Sequence, residues 1–418
     1  MPTRTATAVV SSSTSRRGRT QSGASSPTSG AKDSSPRRCR RWAEVDAPRV
    51  LVCTQGFPRH PDDHHAVFVL DHARALAAAG VAVRVLCPSG PGLPQNDRFG
   101  DVDVVRFRYA PSALERLAYT GAMHRRARGP HGLLVPALLA GFRRAAIREG
   151  RGADVLHAHW WAPSGLVAVS AARRLGLPCV VHVHGTDAAI ARGPLRPLAG
   201  AVLRRATTVL AASNQLAGWV RDIAGVDAVV APMPLGADRV PAPTLPPAGG
   251  PVLAVGRLVP EKGFDVLVRA AARAAVPVVI VGDGDRRDAL EALAVSTGAR
   301  VEFTGALAPA ELAARYRQAR AVAVPSRREG FGIVAAEAAA AGRAVIASAV
   351  GGLPDIVRPG VNGVLVPPGD VDALARALAD LDLSLGGGGP ASVAWLAPEV
   401  IAARNIEVYE QARLRSGR

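Results

Sequence analysis

The 418-residue sequence is poor in lysine, aromatic rings and cysteine. Lysine occurs only at Lys32 and Lys262, although Lys and Arg together number 51 and the formal net charge is +17. A nucleic-acid surface would interleave basic residues with stacking aromatics. Here aromatics are 4% of the chain, and the excess of Arg, Ala, Gly and Pro has the character of a nucleotide-composition bias. No nucleic-acid partner is expected. The four cysteines, Cys39, Cys53, Cys87 and Cys179, show no C-x-x-C spacing. That excludes a disulfide scaffold and a zinc knuckle, and points to a reducing, cytoplasmic setting. No run reaches the roughly 18 apolar residues of a membrane span. The Ser- and Arg-rich N-terminus lacks the apolar core of a secretory signal.

What is present alternates. Residues 1–48 have no periodicity and read as a disordered basic tail, nine basic minus three acidic residues supplying +6 of the charge. From "PRVLVC" onward, short β-patterns and helical patterns follow one another through residues 49–240, as in a doubly wound parallel sheet. The stretch 111–150 reads as mostly helical. "PAPTLPPAGG", residues 241–250, breaks all periodicity and reads as a hinge. The alternation restarts over 251–395, and a last helix is expected near 397–413, within a C-terminal segment 396–418. Two such α/β domains place a cleft between them, at the carboxyl ends of their strands.

Three blocks carry chemistry. In "PSRREGFGIVAAEAAAAG", Glu329 lies in a loop after a strand, and Gly330, Phe331, Gly332 and Ile333 lead into a helix. The free N–H groups of that helix start form an anion site. Glu337 interrupts an otherwise apolar helix, where an unpaired carboxylate is costly. One carboxylate in the loop and one within the helix it leads into suit a ligand longer than one sugar ring. In "VGRLVPEKGFDVLVRA", Arg257 and Lys262 supply a planar fork and a point charge, a pair suited to a diphosphate. In "VVHVHGTD", His182 and His184 are expected on opposite faces of a strand, with His184 at the cleft and His182 in the core. All ten histidines lie between positions 60 and 184, which raises the reading of a metal cluster. No H-x-x-x-H or carboxylate triad accompanies them, and no metal is expected.

Together with "HAHWWAPSGL", "PMPLGAD", "FTGALAPAELAARY" and "GVNGVLVPPGD", these blocks make residues 49–381 resemble the retaining glycosyltransferases of family 4. The resemblance implies the GT-B fold, two Rossmann-like domains with an interdomain cleft. It implies no cofactor beyond a nucleoside-diphosphate sugar as donor, and a hydroxyl acceptor whose identity the sequence leaves open, a glycan or lipid-linked molecule being the candidates. Arg257 and Lys262 would hold the diphosphate, Glu329 and the backbone of Gly330 to Ile333 the donor sugar, and Glu337 the ribose. His184 would contact the sugar from the first domain, and the last helix would pack back on that domain. Departures are the single Gly56 in "TQGFPRHPDDHH" and the loss of a penultimate helix to "LSLGGGGPASVAW". The Arg-rich stretch 124–148 suggests peripheral contact with a membrane. Competing readings are a GT-B sugar-nucleotide epimerase, a pyridoxal-phosphate phosphorylase and a non-catalytic basic module.

Overall fold

The computed structural model describes residues 48–417, apart from 62, 64, 120–128, 192 and 237. The expected tail, up to residue 47, and positions 124–128 of the Arg-rich stretch lie outside the described residues.

Two sheets organise the chain. The first has the order β3-β4-β2-β1-β5-β6-β7-β8. Its strands are β1 (Arg49–Cys53), β2 (Ala82–Pro88), β3 (Asn96–Phe99), β4 (Val102–Phe107), β5 (Val155–His159), β6 (Cys179–Val183), β7 (Thr208–Ala211) and β8 (Val229–Val230). All neighbours are parallel except β3, which runs antiparallel along the edge. The second sheet, β11-β10-β9-β12-β13-β14, is parallel throughout. It comprises β9 (Val252–Val255), β10 (Val278–Val281), β11 (Val301–Gly305), β12 (Ala321–Val324), β13 (Ala344–Ser348) and β14 (Gly363–Val366). Central strands such as "RVLVC" and "AVIAS" are almost wholly buried, which is why they read as continuous apolar runs rather than alternating ones.

Helices cover both faces. In the first lobe these are α1 (Val67–Ala78), α2 (Val135–Glu149), α3 (Leu166–Leu175), α4 (Thr186–Ile190), α5 (Leu195–Arg205) and α6 (Asn214–Ala224). The second lobe has α7 (Phe264–Ala274), α8 (Arg287–Thr297), α9 (Pro309–Gln318), α10 (Ile333–Ala340), α11 (Leu353–Ile356), α12 (Val371–Asp380) and α13 (Gly389–Ser392). The final helix, α14 (Pro398–Arg415), packs on α1 and reaches β5 and β6. Its Ala402, Val408, Tyr409 and Ala412 join the apolar cluster on that face of the first sheet.

Three places differ from or add to the sequence reading. Of the span 111–150, the described residues hold a short 3-10 turn at Ser112–Leu114, a second at Pro130–Leu134 and then α2; positions 120–128 lie outside the described residues. The edge strand β3 had no signal, because "NDRF" is polar and mostly exposed. The glycine-rich "LSLGGGGPASVAW" forms short helical turns, with α13 packed against α10. Its glycines permit close approach, since a Cβ on Gly386 would collide with the Gly342 carbonyl and one on Gly389 with that of Ala339.

Candidate active site

The strand order of the second sheet reverses between β9 and β12, so the loops leaving these two strands open at one crevice. One loop carries Arg257 and Lys262, the other Glu329. A 3-10 turn over Pro260–Lys262 ends at Gly263, at φ 66°. A Cβ at Gly263 would strike the Pro325 carbonyl, so glycine is what lets the loops meet. Lys262 Nζ then donates to Glu329 Oε2 at 2.7 Å, and Ser326 Oγ donates to the same oxygen at 3.0 Å. Arg257 stays exposed on this rim. Burial lowers the pKa of His65, in the loop after β1 of the first lobe; Asp63 opposes this, and Arg59 and then Arg257 add to it.

Gly330 to Ile333 turn into the N-terminus of α10, with Gly332 at φ 102°. The N–H groups of that first turn lack partners within the helix and favour an anion. Gly330 also meets the first lobe, where a Cβ on it would collide with the His184 carbonyl. This contact sets His184 across the cleft from the Glu329 loop.

The histidines are not arranged as the sequence reading expects. His182 and His184 share a face, their rings stacked at 4.4 Å, because side chains two residues apart on a strand point the same way. His157 and His159 stack beside them at 4.7 Å, and His72 of α1 stands edge-on to both. His159 Nδ1 lies 2.9 Å from His184 Nε2, His182 Nε2 bonds the Ala231 carbonyl at 2.7 Å, and the Tyr409 hydroxyl of α14 bonds His157 Nδ1 at 2.7 Å. Burial holds every one of these rings neutral, pushing His184 down to about 3 and His72 to about 4. Two triads, His72/His157/His159 and His159/His182/His184, bring their nitrogens within 4.8 Å of one another. Imidazoles are ligands for transition metals, but the His157 and His159 rings lie within 14° of parallel. Their in-plane lone pairs therefore run side by side, and holding an ion requires ring rotation.

This stack makes the first lobe acid-sensitive. Unfolded histidine titrates near 6.5, and a pKa depressed on folding contributes stability that is full above that value and drains as pH falls toward the folded one. At about pH 5, fully buried His72 alone accounts for a loss of about 2 kcal/mol. The thermal midpoint should fall between pH 7 and 5, and fall less in His72→Gln; equal slopes in both proteins would refute this.

Sequence reasoning missed four functional neighbours. Asp187, on α4, accepts from the N–H groups of His184 and Gly185 at 3.1 and 2.8 Å and fixes the loop that presents His184. Burial pushes its carboxyl up to about 6 against those bonds. The others surround Glu337, which is 3% exposed. Arg239 Nε donates to Glu337 Oε1 at 3.1 Å and Tyr316 Oη to Oε2 at 2.9 Å. Arg239 Nη2 continues to Asp71 Oδ2 on α1 at 2.7 Å. One buried guanidinium thus joins carboxylates of both lobes, and Glu337 and then Asp71 hold it protonated against the cost of burial. Asn214 and Asp355 add a second bridge at 2.9 and 3.0 Å between α6 and α11.

The family models described as Glycosyltransferase Family 4 and Glycosyl transferases group 1 match residues 65–239 and 245–383. A D-inositol 3-phosphate glycosyltransferase of Frankia alni is 34% identical over 75% of this chain and 85% of its own length. The chain belongs to glycosyltransferase family 4. The 2-deoxystreptamine glucosyltransferase of Streptomyces kanamyceticus is also 34% identical, over 74% of this chain and 87% of its own. Among solved structures, sucrose-phosphate synthase from Thermosynechococcus elongatus superposes with TM-score 0.72 at 26% identity, covering 87% of this chain and 98% of the other. HepE of Anabaena, solved with UDP-glucose, shares the fold at TM-score 0.67 and 19% identity, covering 87% and 100%. The fold is GT-B, and this glycosyltransferase acts on sugar-nucleotide donors. That ends the reading as a non-catalytic basic module.

Proposed function

We propose that this glycosyltransferase moves a sugar, with retention and without a metal ion, from a nucleoside-diphosphate sugar to an acceptor hydroxyl. The observation that carries the proposal is the 2.7 Å pair of Lys262 and Glu329 in the crevice between β9 and β12, beside the start of α10 and facing His184. Arg257 and Lys262 neutralise the diphosphate, with the α10 N–H groups assisting, so that no cation is needed for charge. Glu329 and the backbone of Gly330 to Ile333 orient the sugar, and Glu337 anchors the ribose. Neutral His184 faces the sugar from the other lobe as a hydrogen-bonding group. The acceptor hydroxyl attacks on the face the phosphate leaves, and that phosphate takes its proton. The unpaired, buried Cys53, Cys87 and Cys179 fit a reducing setting, and the reading places the enzyme in the cytoplasm. No helix among the described residues is long and apolar enough to cross a membrane.

The test is a screen of nucleotide sugars for hydrolysis and transfer in excess chelator, with acceptors starting from the cyclitols named for the relatives, inositol 3-phosphate and 2-deoxystreptamine, and extending to lipid-linked glycans. Turnover should survive chelation, and proton NMR of the first-formed product should show the anomeric configuration of the donor. Inverted product, or activity restored only by added divalent ion, would contradict the mechanism.

A further inference from the structure

We infer that the outer face of α2, α3 and α5 is a docking surface for an anionic lipid bilayer. A groove of about 500 Å³ runs between these helices, floored by Leu166, Val169 and Val202 and rimmed by Arg143, Arg173, Arg174 and Arg205.

Composition alone does not produce this pattern. Elsewhere arginines are commonly matched by carboxylates, as in Arg49–Asp154, Arg106–Asp97, Arg221–Asp227, Arg273–Asp372, Arg315–Glu302 and Arg327–Asp265. Among the described residues, none of the four rim arginines has a carboxylate partner. Arg143 donates instead to Ser170 at 2.8 Å, and Arg205 to the Ala201 carbonyl of its own helix at 3.0 Å. Nor is there a free acid nearby in sequence. Between residues 129 and 205 the acidic residues are Glu149, Asp154 and Asp187. Glu149 is bound by Arg84 and Arg148, Asp154 by Arg49, and Asp187 by backbone N–H groups. Every charged residue lining the groove is an arginine.

It is also apolar where a purely electrostatic surface would not be. Leu195 and Leu198 on α5 are 40% and 41% exposed, and Leu198 lines the groove. Leucines between long basic side chains suit the boundary of headgroup and acyl chain, where arginine stems lie along the apolar layer and guanidinium groups meet lipid phosphates. A nucleic acid would leave the leucines without a role, and no aromatic residue lines the groove for base stacking. The inference concerns where the enzyme sits and stands apart from the transfer reaction, because its readout needs no turnover.

Full-length protein would be sedimented with phosphatidylcholine vesicles, with and without phosphatidylglycerol, at low and high salt. Wild-type protein should partition onto the anionic vesicles and be released by salt. Arg173→Glu combined with Arg174→Glu should lower that partition by about tenfold or more. The matched reversal Arg317→Glu with Arg376→Glu, on exposed helix positions of the second lobe, should change it less than twofold. Leu198→Ser should weaken binding without altering its salt dependence. All variants should keep the wild-type thermal midpoint, as every changed side chain is exposed. Equal losses in the two double variants, equal partition onto neutral vesicles, or tighter binding of a single-stranded oligonucleotide through the same arginines would overturn the inference.

Discussion

Arg239→Ala should destabilise the enzyme by about 3–5 kcal/mol, the usual consequence of removing one partner from a buried ion pair. The loss is large because two carboxylates are stranded together. Asp71 and Glu337 each have side chains less than a tenth exposed, and both face the same guanidinium. The effect should divide in an informative way. Asp71→Asn in the Arg239→Ala background should recover part of the lost stability, since it removes one stranded charge. The double-variant cycle should show coupling on the order of 1 kcal/mol or more. Donor KM should rise as well, because Glu337 loses a group that fixes its carboxylate. A thermal midpoint within a degree or two of wild type would show that the three-residue bridge contributes nothing in solution.

Lys262→Ala and Arg257→Ala should each lower kcat/KM for the nucleotide sugar by roughly 10- to 150-fold, the range for losing a charge-assisted hydrogen bond to phosphate. Lys262 should lie toward the upper end, because its loss also leaves the Glu329 carboxylate, 13% exposed, without its cation. The two glutamates should then separate. Glu329→Gln should chiefly lower kcat, since contacts to the sugar matter most as charge develops at the anomeric carbon. Glu337→Gln should chiefly raise donor KM, because the ribose is remote from the bond that breaks. Steady-state kinetics of the four variants on one donor would decide. Wild-type turnover in Lys262→Ala, or equal falls in kcat at unchanged KM for both glutamine variants, would contradict the assigned roles.

Much of the fold was legible because parallel strands buried on both faces leave continuous apolar runs, and the helices between them leave the opposite periodicity. Arg257, Lys262, Glu329 and Gly330 to Ile333 were legible for a related reason. Each lies just after a strand and before a helix, and chain order alone brings such loops to one edge of a parallel sheet. What was hidden depends on distance or on local detail. Glu337 announced itself as a carboxylate in an apolar helix, yet its cation is 98 positions away, in the segment that joins the lobes. The short polar edge strand β3 has no burial to impose a pattern. The glycines of 383–396 read as a broken helix, whereas they serve close packing against α10 and β13. For the histidines, strand periodicity of two already places positions 182 and 184 on one face. Only the structure shows that β5 contributes a matching pair and that His72 and Tyr409 close the cluster.

The central claim is that the crevice between β9 and β12 binds a nucleoside diphosphate through protein cations alone. Isothermal titration of UDP, GDP and ADP into the enzyme in excess chelator tests it most directly. One of the three should bind with clear saturation, and the same titration into Lys262→Ala should show affinity reduced by roughly tenfold or more. No saturable binding by any of them without a divalent ion, or identical affinity in the Lys262→Ala variant, would contradict the account.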